Sequence, residues 1–148
     1  MKSEHIYEVD LEWNQGRKGT LSSSALNQQV EVATPPQFKG GIEGIWSPEH
    51  LFVAAVNSCV MTTFLAIAEH SKLEFSGFKI SGSGKLGKVD GKFKVSEIIL
   101  SPVVEIPYEK DREKAERILN KAKAACLISN SITSKIVFEP WVKVAEIV

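Results

Sequence analysis

The chain has 148 residues, 43% of them apolar and 24% charged, which suits one globular domain spanning residues 1–148. Eighteen basic residues offset eighteen acidic ones, so charge gives no case for binding nucleic acid or an anionic membrane. Two cysteines and three histidines are too few for a disulfide scaffold and thin for a metal site, so no cofactor or metal is expected.

The opening Met1-Lys2-Ser3-Glu4-His5 leads into alternating polar and apolar residues instead of an apolar signal core. The most apolar stretch, residues 51–68, is interrupted by Asn57, Ser58, Thr62 and Thr63 and is expected to fall short of a membrane span. The expected setting is the cytoplasm, where a lasting structural disulfide is not favoured.

Residues 5–13 place Tyr7, Val9, Leu11 and Trp13 on one face and Glu8, Asp10 and Glu12 on the other, the pattern of a half-buried strand. Asn14-Gln15-Gly16-Arg17-Lys18-Gly19 is a turn, and residues 20–33 return as its partner with an irregularity near Asn27. Residues 34–44 hold Pro35-Pro36 and Gly40-Gly41 and form a loop. Ser47 then caps a long helix, with Pro48 at its first position and Glu49 at the positive end of its dipole. Nothing breaks this helix until about Ser71, so it runs for roughly 24 residues and about 36 Å. It is apolar around most of its circumference, so it is expected to be buried on most sides. One sheet covers one side of it, and a second copy of the chain is the simplest cover for the rest.

Residues 74–89 and 92–106 read as long strands joined at Asp90-Gly91, with Gly77, Gly82, Gly84 and Gly87 allowing the first to bend or bulge. Residues 111–125 form an amphipathic helix with Ala115, Ile118, Leu119, Ala122 and Ala125 on its apolar face, and Cys126 follows at its end. Ser129 caps a short helix over residues 130–134. The last strand covers residues 136–147, with an edge or bulge at Pro140. The order of strands, long helix, hairpin, helix, short helix and strand is that of an α+β fold.

Three features together carry a resemblance. They are Ser47-Pro48-Glu49-His50-Leu51 opening the long helix, Cys59 ten residues past Glu49, and Cys126-Leu127-Ile128-Ser129-Asn130 after the amphipathic helix. In order and spacing the chain resembles the OsmC/Ohr family of osmotically inducible and organic hydroperoxide resistance proteins. The resemblance implies antiparallel sheets around a long buried central helix, an intertwined homodimer, and a thiol-dependent peroxidase that reduces organic hydroperoxides. It places Cys59 as the peroxidatic cysteine and Cys126 as the resolving cysteine. Glu49 matches the family glutamate, and Arg17 the arginine of a Gly-Arg-x-Gly turn. It further implies recycling by an external dithiol, such as a lipoylated protein. Two positions depart from the pattern: Leu127 stands where the family has proline, and Trp46 precedes the Ser-Pro-Glu.

Each residue also has a plainer reading. A mid-helix Cys59 is an inert small hydrophobe unless a cation lowers its pKa. Of the three arginines, Arg112 and Arg117 lie on the polar side of the second helix, which leaves Arg17. Arg17 otherwise reads as a solvated turn residue, and Glu49 as an acid placed by the helix dipole. In the functional reading Glu49 pairs with Arg17 and orients its guanidinium fork, a geometry lysine does not supply. Ten helical residues separate Glu49 from Cys59 by about 15 Å along the axis. Arg17 and Glu49 are therefore expected to complete mainly the partner subunit's site. Cys126 sits at a helix C-terminus, where the dipole opposes ionisation and suits a waiting resolving thiol.

Phe52, Val56, Met61 and Phe64 are expected to favour alkyl hydroperoxides, or to be plain core. His5, His50 and His70 read as surface residues without metal-ligand spacing. Gly82-Ser83-Gly84 is no phosphate loop, because no helix follows it. The competing function is a dimeric protein that binds an apolar ligand and carries inert cysteines.

Overall fold

A computed structural model describes residues 4–145, which fall into two compact units, one ending at Leu51 and the other beginning at Phe52. In the first unit, β1 (Asp10–Gln15), β2 (Lys18–Ser22) and β3 (Val30–Ala33) form an antiparallel sheet in that order. Gly16 and Arg17 make the two-residue turn between β1 and β2. Gly16 has φ +54° and Arg17 has negative φ, the signature of a hairpin turn that matches strand twist. The expected irregularity near Asn27 is a full break between β2 and β3. The expected half-buried strand is exposed along all of β1, with Trp13 72% exposed. Alternation in the sequence is intact, but no described residue covers its apolar side.

The loop after β3 folds tightly. Ile42 N–H donates to the Thr34 carbonyl at 2.9 Å, and Phe38 N–H donates to Pro35 at 3.0 Å. This brings Gly41 so close to the Pro35 carbonyl that a Cβ there would overlap main-chain atoms of Pro35 and Pro36. Ala33 N–H donates to the Trp46 carbonyl at 2.8 Å and returns the chain to the sheet. Ser47 caps the next helix as expected, its hydroxyl accepting the His50 N–H at 3.1 Å.

That helix, α1 (Pro48–His70), has the expected length. It ends where Lys72 takes φ +55° and Leu73 N–H bonds back to the Ala68 carbonyl at 2.9 Å. Its 23 residues are long and apolar enough to cross a bilayer, which corrects the expectation that the stretch falls short. The polar residues within it are small enough to leave the overall apolarity high. Val56, Cys59, Val60, Phe64 and Ala68 form one buried stripe, while Met61 and Leu65 face outward. The single chain therefore buries one side of α1 and not most of its circumference.

In the second unit, β4 (Gly77–Val89) and β5 (Lys92–Ile106) form a long hairpin. Asp90 and Gly91 turn it with φ +51° and +78°, as the Asp-Gly pair demands. The bulge falls in β5 and not in the glycine-rich β4: Lys85 pairs with Glu97 and Leu86 with Val95, leaving Ser96 over. The β4 glycines serve close approach instead. A Cβ at Gly82 would meet the Asn57 amide of α1, and one at Gly84 would meet Val53.

After a single 3-10 turn at Glu109–Asp111 comes α2 (Arg112–Ala125), and the short helix expected after Cys126 is a second 3-10 turn at Ser129–Ser131. Pro140 divides the last expected strand into β6 (Lys135–Phe138) and β7 (Trp141–Val144), both parallel to β5. Its expected end, residues 146–147, lies outside the described residues. The sheet runs β4-β5 with β6 and β7 on the far side of β5.

Residues Ile98, Leu100, Pro102, Val104 and Ile106 of β5 alternate inward and form the floor of the core. One cluster joins Phe64 and Ala68 of α1 to Val104 and Ile106 of β5 and to Ala115, Ile118, Leu119 and Ala122 of α2. Phe64 stacks on Phe78 at 4.7 Å and meets Phe75 edge-on at 5.4 Å. A second cluster joins Val56, Cys59 and Val60 to Ile98, Leu100 and Cys126.

The tight loop can be probed through its glycine. Gly41→Ala forces a methyl into main-chain atoms and is expected to cost about 1–3 kcal/mol, lowering the urea midpoint. Gly87→Ala, in β4 with open space around it, is expected to leave that midpoint within the range of an ordinary surface change.

Candidate active site

The two cysteines, 67 positions apart in sequence, meet in the second apolar cluster. Cys59 lies on the buried stripe of α1 and is 9% exposed, and Cys126 is fully buried where the chain leaves α2. Both are free thiols and pack in the same buried cluster. The polar neighbours of Cys59 come from two places. Thr63, one helical turn on, puts its hydroxyl 4.0 Å from the sulfur. The loop after Cys126 brings the main-chain N–H groups of Ile128 and Leu127 to it.

These surroundings set the two thiols apart. Burial pushes the Cys59 thiol up. Hydrogen bonds from Ile128 N–H, the Cys126 thiol, Thr63 and Leu127 N–H outweigh burial and hold it below its ordinary value. Burial also pushes Cys126 up. There the Ser129 hydroxyl and N–H oppose the rise, while Cys59 adds to it through their hydrogen bond and its charge, and the thiol stays above its ordinary value. The expected direction for Cys126 is found, but its main cause is burial and not the helix dipole. The arrangement provides one thiol disposed to ionise and a second disposed to remain protonated in contact with it.

Arg17 and Glu49 belong to the first unit. Arg17 takes the second position of the β1–β2 turn and is exposed, and its side chain packs over Gly40, where a Cβ would lie 3.1 Å from its Nε. Gly40 has φ +82° and no side chain to displace the guanidinium stem. Glu49 is in the first turn of α1 and half-buried. Among the described residues no ion pair joins the two, so the expected pairing is not formed within the chain. Arg17 and Pro48, the neighbour of Glu49, do line one groove of about 450 Å³, together with Leu11, Trp13 and Val32.

Of the four apolar residues expected around the thiol, Phe52 and Val56 pack in the cysteine cluster. Phe64 belongs to the other cluster, and Met61 points outward. Ile98, Leu100, Ile128 and Ile132 replace them, drawn from β5 and from the loop after α2. A groove of about 420 Å³ opens beside this cluster, with Phe52, Val95 and Ile132 common to both. His5, His50 and His70 are exposed, as expected. His50 Nδ1 lies 2.7 Å from the capping Ser47 hydroxyl, and Trp46 meets the His50 ring edge-on at 6.3 Å.

Sequence reasoning missed Thr63, Leu127 N–H and Ile128 N–H. Thr63 was reachable, since position i+4 on a helix shares a face with position i. Main-chain donors leave no mark in side-chain identity.

A model of the OsmC-like protein family matches residues 40–140. The chain is 29% identical over 130 residues to the peroxiredoxin OsmC of Escherichia coli, covering 85% of this chain and 87% of that protein. An OsmC-like protein of unknown function from Vibrio cholerae has the same fold, with a TM-score of 0.82 at 23% identity over 93% of this chain and 99% of that one. So does an organic hydroperoxide resistance protein OsmC from Legionella pneumophila, with a TM-score of 0.71 at 20% identity over 95% and 99%. With the family match spanning most of the chain, from the loop before α1 through both cysteines to β6, the protein is a member of the OsmC/Ohr family.

Proposed function

We propose that the protein is a thiol-dependent peroxidase that reduces organic hydroperoxides, with Cys59 as nucleophile and Cys126 as resolving thiol. The observation that carries this reading is the contact between two free thiols held in opposite directions from their ordinary pKa values. The named peroxidase activity of the Escherichia coli relative supports the reaction class. The Cys59 thiolate attacks the terminal peroxide oxygen and the O–O bond breaks. The alkoxide takes a proton and leaves as alcohol, and Cys59 becomes sulfenic acid. The Cys126 sulfur then displaces the hydroxyl, releasing water and forming the Cys59–Cys126 disulfide. An external dithiol supplies two electrons and two protons to restore both thiols. The groove beside the cysteine cluster, with Phe52, Val95 and Ile132 on its wall, suits an alkyl chain better than hydrogen peroxide.

The working form in this reading is a homodimer in the cytoplasm, with no membrane or nucleic-acid partner. The exposed apolar faces of β1 and α1 support a second copy as the cover. Arg17 and Glu49 complete the partner's site, where Arg17 adds a cation near the thiolate.

Cys59→Ser is expected to abolish consumption of an organic hydroperoxide in the presence of a dithiol, and one equivalent of peroxide is expected to yield an intramolecular Cys59–Cys126 bond by mass spectrometry. Undiminished turnover in Cys59→Ser refutes the assignment. A thiol lowered in pKa is more ionised at neutral pH, so Cys59 alkylation should reach half its maximum below the pH of an ordinary thiol. The apolar-ligand binder with inert cysteines predicts a midpoint at or above that of an ordinary thiol. An equimolar mixture of Cys59→Ser and Arg17→Ala subunits, allowed to reassort so that half of it is mixed dimers with one working site each, should regain about a quarter of wild-type activity if Arg17 acts across the dimer, and none if it acts within its own chain.

A further inference from the structure

The sheet of the second unit has two faces, and the cysteines use only one of them. Phe78 and Ile80 of β4, Val104 and Ile106 of β5, and Val142 of β7 pack into the two apolar clusters. Side chains alternate along a strand, so Gly77, Lys79, Val103, Glu105, Trp141 and Lys143 share the opposite face. There they line a groove of about 560 Å³, larger than the groove of about 420 Å³ beside the cysteine cluster.

Strand register sets these six residues out in two rows. Lys79 pairs with Val103, and Val103 pairs on its other side with Trp141. Gly77 pairs with Glu105, and Glu105 with Lys143. Neighbouring strands lie about 4.8 Å apart, so Lys79 and Trp141 flank Val103 at a separation of about 10 Å.

The charges in the second row are matched within the chain. Glu105 accepts the Ser76 hydroxyl at 3.1 Å on one carboxylate oxygen, and the other lies 3.8 Å from the Lys143 ammonium. The first row is incomplete. Lys79 is exposed and has no ion-pair partner among the described residues. Trp141 is 67% exposed, and among the described residues no ring or ammonium stacks on its indole. Space stands open beside them, since a Cβ at Gly77 would meet only the Glu105 Cβ, at 3.8 Å.

We propose that this groove is a second binding site, for a small planar aromatic monoanion such as an aryl carboxylate. The indole of Trp141 offers a flat face for the ring to stack on, and Val103 an apolar floor beneath it. The Lys79 ammonium takes the carboxylate, a charge-assisted contact at the far end of the row. With Glu105 matched by Lys143, one positive charge is left over, which a single negative charge complements. A two-ring acid is long enough to reach from the indole to the ammonium. The groove's volume is in the range of small-molecule sites, roughly 300–1,000 Å³. Because the groove lies across the sheet from Cys59 and Cys126, filling it involves neither thiol.

The test is an NMR titration of the full-length protein with 2-naphthoate, followed on the Lys79 and Val103 amide signals and the Trp141 indole N–H. These signals are expected to shift together and to saturate, with a dissociation constant below about 1 mM. Uncharged 2-naphthamide is expected to bind about tenfold more weakly. Trp141→Ala and Lys79→Gln change exposed side chains, and each is expected to weaken 2-naphthoate binding about tenfold while hydroperoxide turnover stays at the wild-type rate. Gly77→Val fills the groove without meeting main-chain atoms, and a β-branched residue suits a strand, so this variant is expected to fold and to lose binding. Should it not fold, the two exposed variants decide. Shifts that fail to saturate, equal binding of acid and amide, or wild-type binding by Trp141→Ala overturn the site. Movement of the same signals with protein concentration alone would show a second copy on this face, and overturns it as well.

Discussion

The seating of α1 on the β4–β5 hairpin is the contact on which the second unit depends. Gly82 and Gly84 of β4 leave room for Asn57 and Val53, so the helix comes down close to the strand. Val56, Cys59 and Val60 then meet the inward side of β5 at Ile98 and Leu100. A turn and a half further along, Phe64 and Ala68 reach Val104, Ile106 and the apolar stripe of α2. Each fully buried aliphatic or aromatic side chain of this kind contributes about 1.5–3 kcal/mol relative to exposure, so the two clusters supply most of what holds the unit together. Because α2 is held by the same helix and strand, the position where it ends, and with it Cys126, is determined by that packing.

A conflict follows at the sulfur. The burial that stabilises the fold disfavours a charged thiolate, since a group taken out of water loses its solvation. Here polar groups meet the sulfur where water is excluded: a thiol, a hydroxyl one turn along the helix, and two main-chain N–H groups. The Cys126 thiol, more deeply buried, has a neighbouring charge that works against its own ionisation. Two chemically identical side chains in one apolar cluster are therefore shifted in opposite directions from their ordinary value by what surrounds each.

The exposed surface carries a second tension. Leu11 and Trp13 share one face of the first strand, Val9 just before it is exposed as well, and Met61 and Leu65 project from the outer side of α1. Apolar side chains in such number on regular elements do not suit a free surface. Their alternation and helical spacing are regular, so the elements themselves are well formed; what they lack within one chain is a cover. An apolar α1 that reaches the length of a bilayer span belongs to the same observation, because its exposed side carries apolar residues as well as its buried one.

Local rules reached the elements well. Ser47, Pro48 and Glu49 mark the start of α1 because capping acts within one turn, and Asp90-Gly91 marks the hairpin because both positions require positive φ. Pro140 marks the break in the last strand because it cannot donate to the ladder. The pairing of Cys59 with Cys126 came from resemblance and order of motifs, not from any local rule. Leu127 read only as a departure from proline. What the sequence did not disclose is of another kind. The bulge fell at Ser96 and not among the glycines, since register along a whole hairpin decides it. Phe64 left the neighbourhood assigned to it, because the direction of a helical side chain is settled by the surfaces that receive it. Among the groups that hold the Cys59 thiol below its ordinary value are main-chain N–H groups of the segment after α2. Every residue except proline carries the same N–H, so its use becomes visible only when the chain is folded around the atom it serves.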